Sequence, residues 1–160
     1  MEHLGVPPLV GGIAKGEVTW KRLEGLDHET LGYFLSCHLI IEHYMEEYLK
    51  VRYPSLDWAA ARHTFGQKVA LLSKFKVSDK YDCIPAIKHM NSLRNKLSHD
   101  IEFKIVSEDL LPLTQYLGKV YEDAEVPKEP KAILSHFTNM SCVLFASSIS
   151  AFASQANPAP

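Results

Sequence analysis

The chain has 160 residues, enough for one domain around a single core. Hydrophobic residues make up 46% and charged residues 22%, ordinary globular usage that excludes a largely disordered chain. A net charge of -2 excludes a uniformly basic nucleic-acid binder, yet the charge is uneven: between Lys50 and Lys104 eleven Lys or Arg face five acids, leaving about -8 for the remainder.

Residues 1–26 contain Pro-Pro, Gly-Gly and no sustained periodicity, so they read as an arm or loop that packs on the domain, with no strand required. Asp27 then caps a first helix, favoured by Glu29 in its first turn and stopped after about Arg52 by Pro54. Leu31, Phe34, Leu35, Ile41, Met45, Tyr48 and Leu49 fall on one face of it at helical spacing. A second helix is expected over Trp58–Phe75, with Phe65, Val69 and Leu72 inward. Val77 to Asp79 connect it to a third, about Asp82–Ser98, whose Pro85 is tolerated in a first turn. After a short extended link from Ile101 to Val106, Ser107 is expected to cap a fourth helix reaching roughly Glu122. A Pro-bounded linker, Val126–Pro130, precedes a fifth to about Phe152. The pattern is all-α, an antiparallel four- to five-helix bundle spanning residues 27–153, with a disordered tail at 154–160.

Cys37, Cys83 and Cys142 are odd in number and widely spaced, which favours buried thiols in a reducing, cytoplasmic setting over a zinc site or disulfide framework. No signal peptide is legible. The apolar stretch Ala132–Ala153 carries too many Ser, Thr, Asn and His residues for a membrane span, and reads as a buried or dimer-forming helix. No Gly-rich phosphate loop, nucleophile motif or repeated metal-ligand pair occurs, so neither cofactor nor metal is expected. His38 and Glu42 could share an ion, but the Glu-x-x-His pairs of a dimetal bundle are missing.

Helical angles single out two charges. With Leu31 at zero and about 100° per residue, the apolar arc of the first helix runs from about 260° to 40°, and it contains Glu42 and His38. On the third helix Arg94 falls between Ile87 and Met90, inside the arc that Ile84, Ile87, Met90, Leu93 and Leu97 define. Two buried charges are tolerable when they meet, so Glu42 is expected to pair with Arg94, directly or through water. A structural salt bridge accounts for such a pair as well as a functional site does. Beside Arg94 lies a polar stripe of Asn91, Asn95, Ser98 and His99. Arg94 and His99 stand about 140° apart on an ideal helix, so a long side chain, an unwound helix end or a second subunit has to bring them together. His38 reads as a satisfied core histidine, and Tyr33, Tyr44 and Tyr48 as core or interface aromatics.

The run Leu93-Arg94-Asn95-Lys96-Leu97-Ser98-His99-Asp100 resembles the signature of HEPN domains: an Arg, often followed by a polar residue, then a His after four to six positions. Leu39 to Leu49, carrying Glu42, resembles the family's first helix, and Phe65 to Leu72 an intermediate one. The likeness spans roughly residues 28 to 123; small mannitol-repressor-like helical proteins are a further comparison. It implies a helical bundle, a homodimer and, in many members, metal-independent RNA cleavage in toxin or phage-defence systems. On that implication Arg94, His99, Asn95 and Glu42 are catalytic, and Lys96, Asn91 and Ser98 contact RNA. The alternative is a non-catalytic interaction module or transcriptional co-regulator on the same fold, binding a protein partner such as an antitoxin or regulator.

Overall fold

The computed structural model describes residues 7–122 and 124–156, and within them the chain is mostly helical with one small two-stranded sheet. Of the tail expected to be disordered over 154–160, residues 154–156 are helical and 157–160 lie outside those described. The Asp27 carboxylate accepts the Thr30 N–H at 3.0 Å and opens α1, His28–Arg52. Lys50 and Arg52 in its last turn suit the negative end of the helix dipole. Phe34, Ile41, Met45 and Leu49 are fully buried on its inner side, each worth on the order of 1.5–3 kcal/mol of transfer free energy. Leu35, expected inward, is 39% exposed, so the real inner face is rotated away from it.

The inner face of α1 lies chiefly against α6, Pro130–Ala156, which extends four residues beyond the expected end. By length and composition α6 is able to cross a bilayer; here Ile133, Leu134, Phe137, Ser141 and Phe145 are buried. Phe145 stacks on Phe75, and Tyr48 meets both edge-on or tilted.

The segment expected to be one helix over 58–75 is two. α2, Trp58–Ala61, ends at Arg62, whose φ of 44° is left-handed. α3, Phe65–Leu71, restarts through a capping box: the Thr64 side chain accepts from the Gln67 N–H, and Gln67 accepts from the Thr64 N–H. That reciprocal pair stabilises a new helix start, whereas a continuous helix would leave both side chains idle. Phe65, Val69 and Leu72 are buried, as their spacing predicts.

α4, Ile84–His99, follows a short 3₁₀ turn, Asp79–Tyr81, with Pro85 in its first turn and the Asp82 carboxylate accepting the Ile84 N–H. The link 101–106 is non-helical. Ser107 does not cap the next helix. It begins a 3₁₀ turn, Ser107–Leu110, closed by Asp109 accepting from the Val106 N–H, while its hydroxyl donates to the Lys128 carbonyl. α5, Leu111–Tyr121, comes after that turn and packs on α4 and α6.

The N-terminal arm contains what its sequence pattern hid. β1, Leu9–Ala14, and β2, Glu17–Lys21, form an antiparallel hairpin. Lys15 and Gly16, at φ 51° and 80°, make the two-residue positive-φ turn that matches strand twist. A bulge at Gly11–Gly12 shifts the register, which is why the alternation of Val10, Ile13, Val18 and Trp20 was illegible. Those four side chains are exposed, and the hairpin is tied back by a Lys21–Glu102 ion pair at 2.6 Å. Of the two tryptophans, Trp20 is 64% exposed and Trp58 half-buried, its indole N–H donating to the Tyr53 carbonyl. The three cysteines are buried free thiols, and burial pushes Cys83 up to about 12 and Cys142 to about 11.

Candidate functional site

Ile84, Ala86, Ile87, Met90 and Leu93 anchor α4 in the core, but its last turns leave it. Arg94, Asn95, Lys96, Ser98 and His99 are all exposed, while Leu97 is half-buried. The expectation that Arg94 aims inward is therefore corrected. Its angle lies between Ile87 and Met90, yet angle says nothing of depth along the axis, and at this level the long side chain reaches solvent.

Nor do Glu42 and Arg94 form the direct ion pair expected of them. Glu42 accepts from the Lys68 ammonium at 2.8 Å, and Lys68 also meets Glu46 at 2.7 Å. Glu46 in turn is bound by Lys50 at 2.9 Å, and these two lysines hold its carboxyl down at about 2. Lys68 is only 7% exposed. An ammonium so buried is held charged by two carboxylates that remain partly open to water, with the burial cost offset by both ion pairs. Lys68 went unnoticed in the sequence although it shares the Phe65–Val69–Leu72 face; a lysine on an inward stripe was the available signal. Among the described residues no carboxylate lies within 4.0 Å of Arg94.

What Arg94 does reach is the field of His38. That imidazole, 5% exposed, stacks on Phe65 at 4.1 Å between ring centroids. Burial depresses its pKa below 6.5, the Asn91 amide and the Glu42 charge oppose the shift, and the Arg94 charge reinforces it. Among the described residues His38 Nε2 has no hydrogen-bond partner, so this core histidine is not fully satisfied there.

The polar stripe is open to water. Asn91 is half-buried toward His38, whereas Asn95, Ser98 and His99 lie outside. Ser98 donates to the Arg94 carbonyl at 3.0 Å, bonding within its own helix, and the Lys96 ammonium sits 5.5 Å over the Phe103 ring. α4 stays helical through His99, with the Asp100 N–H donating to the Lys96 carbonyl, so no unwinding brings His99 round to Arg94. On this regular helix they are separated by about 140° and about 7.5 Å of rise.

Directly beyond His99 the chain borders a cavity of about 450 Å³ between the first turn of α1 and the 100–106 link. Its apolar walls include Leu31, Leu97, Ile101, Phe103 and Ile105. Asp27, Asp100 and Lys104, all exposed, supply charge. No local pattern signals it, because it arises from two segments about seventy residues apart. Comparison of the chain with family models, curated proteins and solved structures found no match.

Proposed function

We propose that the chain is a metal-independent endoribonuclease of HEPN type, an antiparallel helical bundle that works as a homodimer. The observation that carries this reading is the exposed end of α4. There an arginine that meets no carboxylate within 4.0 Å among the described residues is followed by a solvent-open histidine, in the run that resembles the HEPN signature. A guanidinium not already paired is available to a phosphate, and planar bidentate contact suits it to that anion.

RNA carries its own nucleophile. His99 takes the proton from a 2′-hydroxyl as it attacks the adjacent phosphorus, Arg94 offsets charge growing on the phosphoryl oxygens, and Asn95 positions the phosphate. The P–O5′ bond breaks, leaving a 2′,3′-cyclic phosphate, and the departing 5′-oxygen takes up the proton returned by His99 to become a 5′-hydroxyl. Lys96 and Ser98 lie on the same open surface, with Asn91 at its inner edge. Glu42, committed to Lys68, has no part in this step. Since Arg94 and His99 diverge on one helix, the reading requires two subunits to complete each site. The outer face of α1, where Leu39 is 64% and Ile40 45% exposed, is the proposed contact.

The test is cleavage of an end-labelled RNA in EDTA by wild type, Arg94→Ala and His99→Ala. Each substitution is expected to reduce the rate at least a hundredfold, the ordinary contribution of one acid–base group for His99 and of one charge-stabilising donor for Arg94. Cleavage surviving both changes ends the proposal. The second reading, a non-catalytic module binding an antitoxin or regulator, draws on the same apolar face of α1; it predicts a folded protein inert toward RNA.

A further inference from the structure

We propose that the cavity bordered by Leu97 and Asp100, at the C-terminal end of α4, is a nucleobase pocket, selective for guanine. Its assignment to a base within an RNA strand rests on the nuclease reading above; its fit to a base rests on its lining.

A nucleobase is a flat ring with apolar faces and a rim of donors and acceptors, so it needs apolar walls and polar groups at the opening. The cavity has both. Its volume of about 450 Å³ lies in the range of small-molecule sites. Leu31, Leu97, Ile101 and Ile105 offer aliphatic surface, and Phe103 an aromatic ring of the kind on which unstacked bases are held. That ring is half-buried and already carries the Lys96 ammonium at 5.5 Å, so it is fixed between the cavity and the polar face of α4.

Charge on the lining selects the base. Asp27 accepts the Thr30 N–H and Asp100 the Glu102 N–H, each through Oδ1 at 3.0 Å, so both carboxylates are held by backbone and keep a second oxygen for a ligand. Because each oxygen has two lone pairs, such a carboxylate still accepts side by side from the N1–H and the 2-amino group of guanine, one bond to Oδ2 and one to the lone pair of Oδ1 that the backbone leaves open. Lys104, which has no carboxylate within 4.0 Å among the described residues, donates to O6. Uracil lacks the amino group and matches only part of this set. A second hollow shares Leu26 and Lys104 with the first; its lining mixes Lys21, ion-paired with Glu102, with Glu24 and Arg22, so Arg22 is the cation it adds for a sugar–phosphate chain.

The experiment titrates GMP and UMP into ¹⁵N-labelled full-length protein and follows amide shifts. GMP is expected to move Leu31, Leu97 and the 101–106 amides, with UMP about tenfold weaker. Ile105→Trp, which fills the cavity, is expected to abolish the shifts. Asp100→Asn, at an exposed position, is expected to weaken GMP about tenfold and keeps the test decisive if the bulky variant does not fold. Absence of shifts, equal response to both nucleotides, or binding indifferent to these substitutions overturns the pocket. A labelled RNA containing every base then separates the sources. Cleavage beside guanine, with the preference lost in Asp100→Asn, places the base on a strand. GMP binding without RNA cleavage leaves a free-nucleotide site and ends the nuclease reading alone; cleavage without GMP binding or guanine preference ends the pocket alone.

Discussion

His38 carries the clearest consequence for stability at the level of single side chains. It is buried against Phe65, its charged form is disfavoured, and the groups facing it are Glu42 on its own helix and Asn91 and Arg94 on α4. Because its folded pKa lies below 6.5, the unfolded chain binds the proton more readily, and stability must fall as pH drops from about 6.5 through the folded value. Thermal unfolding at pH 7.5 and 5.5 should therefore show a loss of melting temperature in the wild type that His38→Phe largely removes. An equal loss in both proteins would assign the effect to other groups. Lys68 teaches a related lesson: a lone charge on an apolar stripe predicts a partner, but which partner depends on the tertiary fold. Reading angles paired Glu42 with the wrong cation because α3, not α4, presents its charge at that height on α1.

Elements were legible where local chemistry marks their ends, and illegible where it is distributed. Asp27 as a cap and Pro54 as a stop bound α1 from sequence alone, and Pro85 placed the start of α4 to within two residues. The break within 58–75 is set by the reciprocal cap of Thr64 and Gln67, which the spacing of Phe65, Val69 and Leu72 does not register. Thr64→Ala should therefore cost about 1 kcal/mol in urea unfolding, with most of the effect reversed in Thr64→Ser. No change in the midpoint would show that α3 is positioned by packing alone. The hairpin is illegible for another reason: its bulge breaks the two-residue alternation on which recognition of a strand depends.

Across the whole molecule, the site separates into parts of different legibility. The polar run at the end of α4 is contiguous and could be read directly, whereas the cavity beside it depends on α1 meeting the 100–106 link. Assembly is the property on which the nuclease reading turns. Leu39 and Ile40 project from a face of α1 with no charged residue between Glu29 and Glu42. If two chains meet there, Leu39→Glu should convert a dimer of about 36 kDa into a monomer by sedimentation, twice the 18.0 kDa of one chain, and reduce RNA cleavage with it. A dimer unaffected by that change would move the interface elsewhere.

The placement of the two indoles decides what intrinsic fluorescence can report. Trp20 stands in water on the hairpin, while Trp58, half-buried on the four-residue α2, touches only the edge of the core. Emission should therefore divide into a red component that yields readily to a dissolved quencher and a bluer one that resists it. A melt followed by light would then record loosening at the periphery, while circular dichroism would record collapse of the centre.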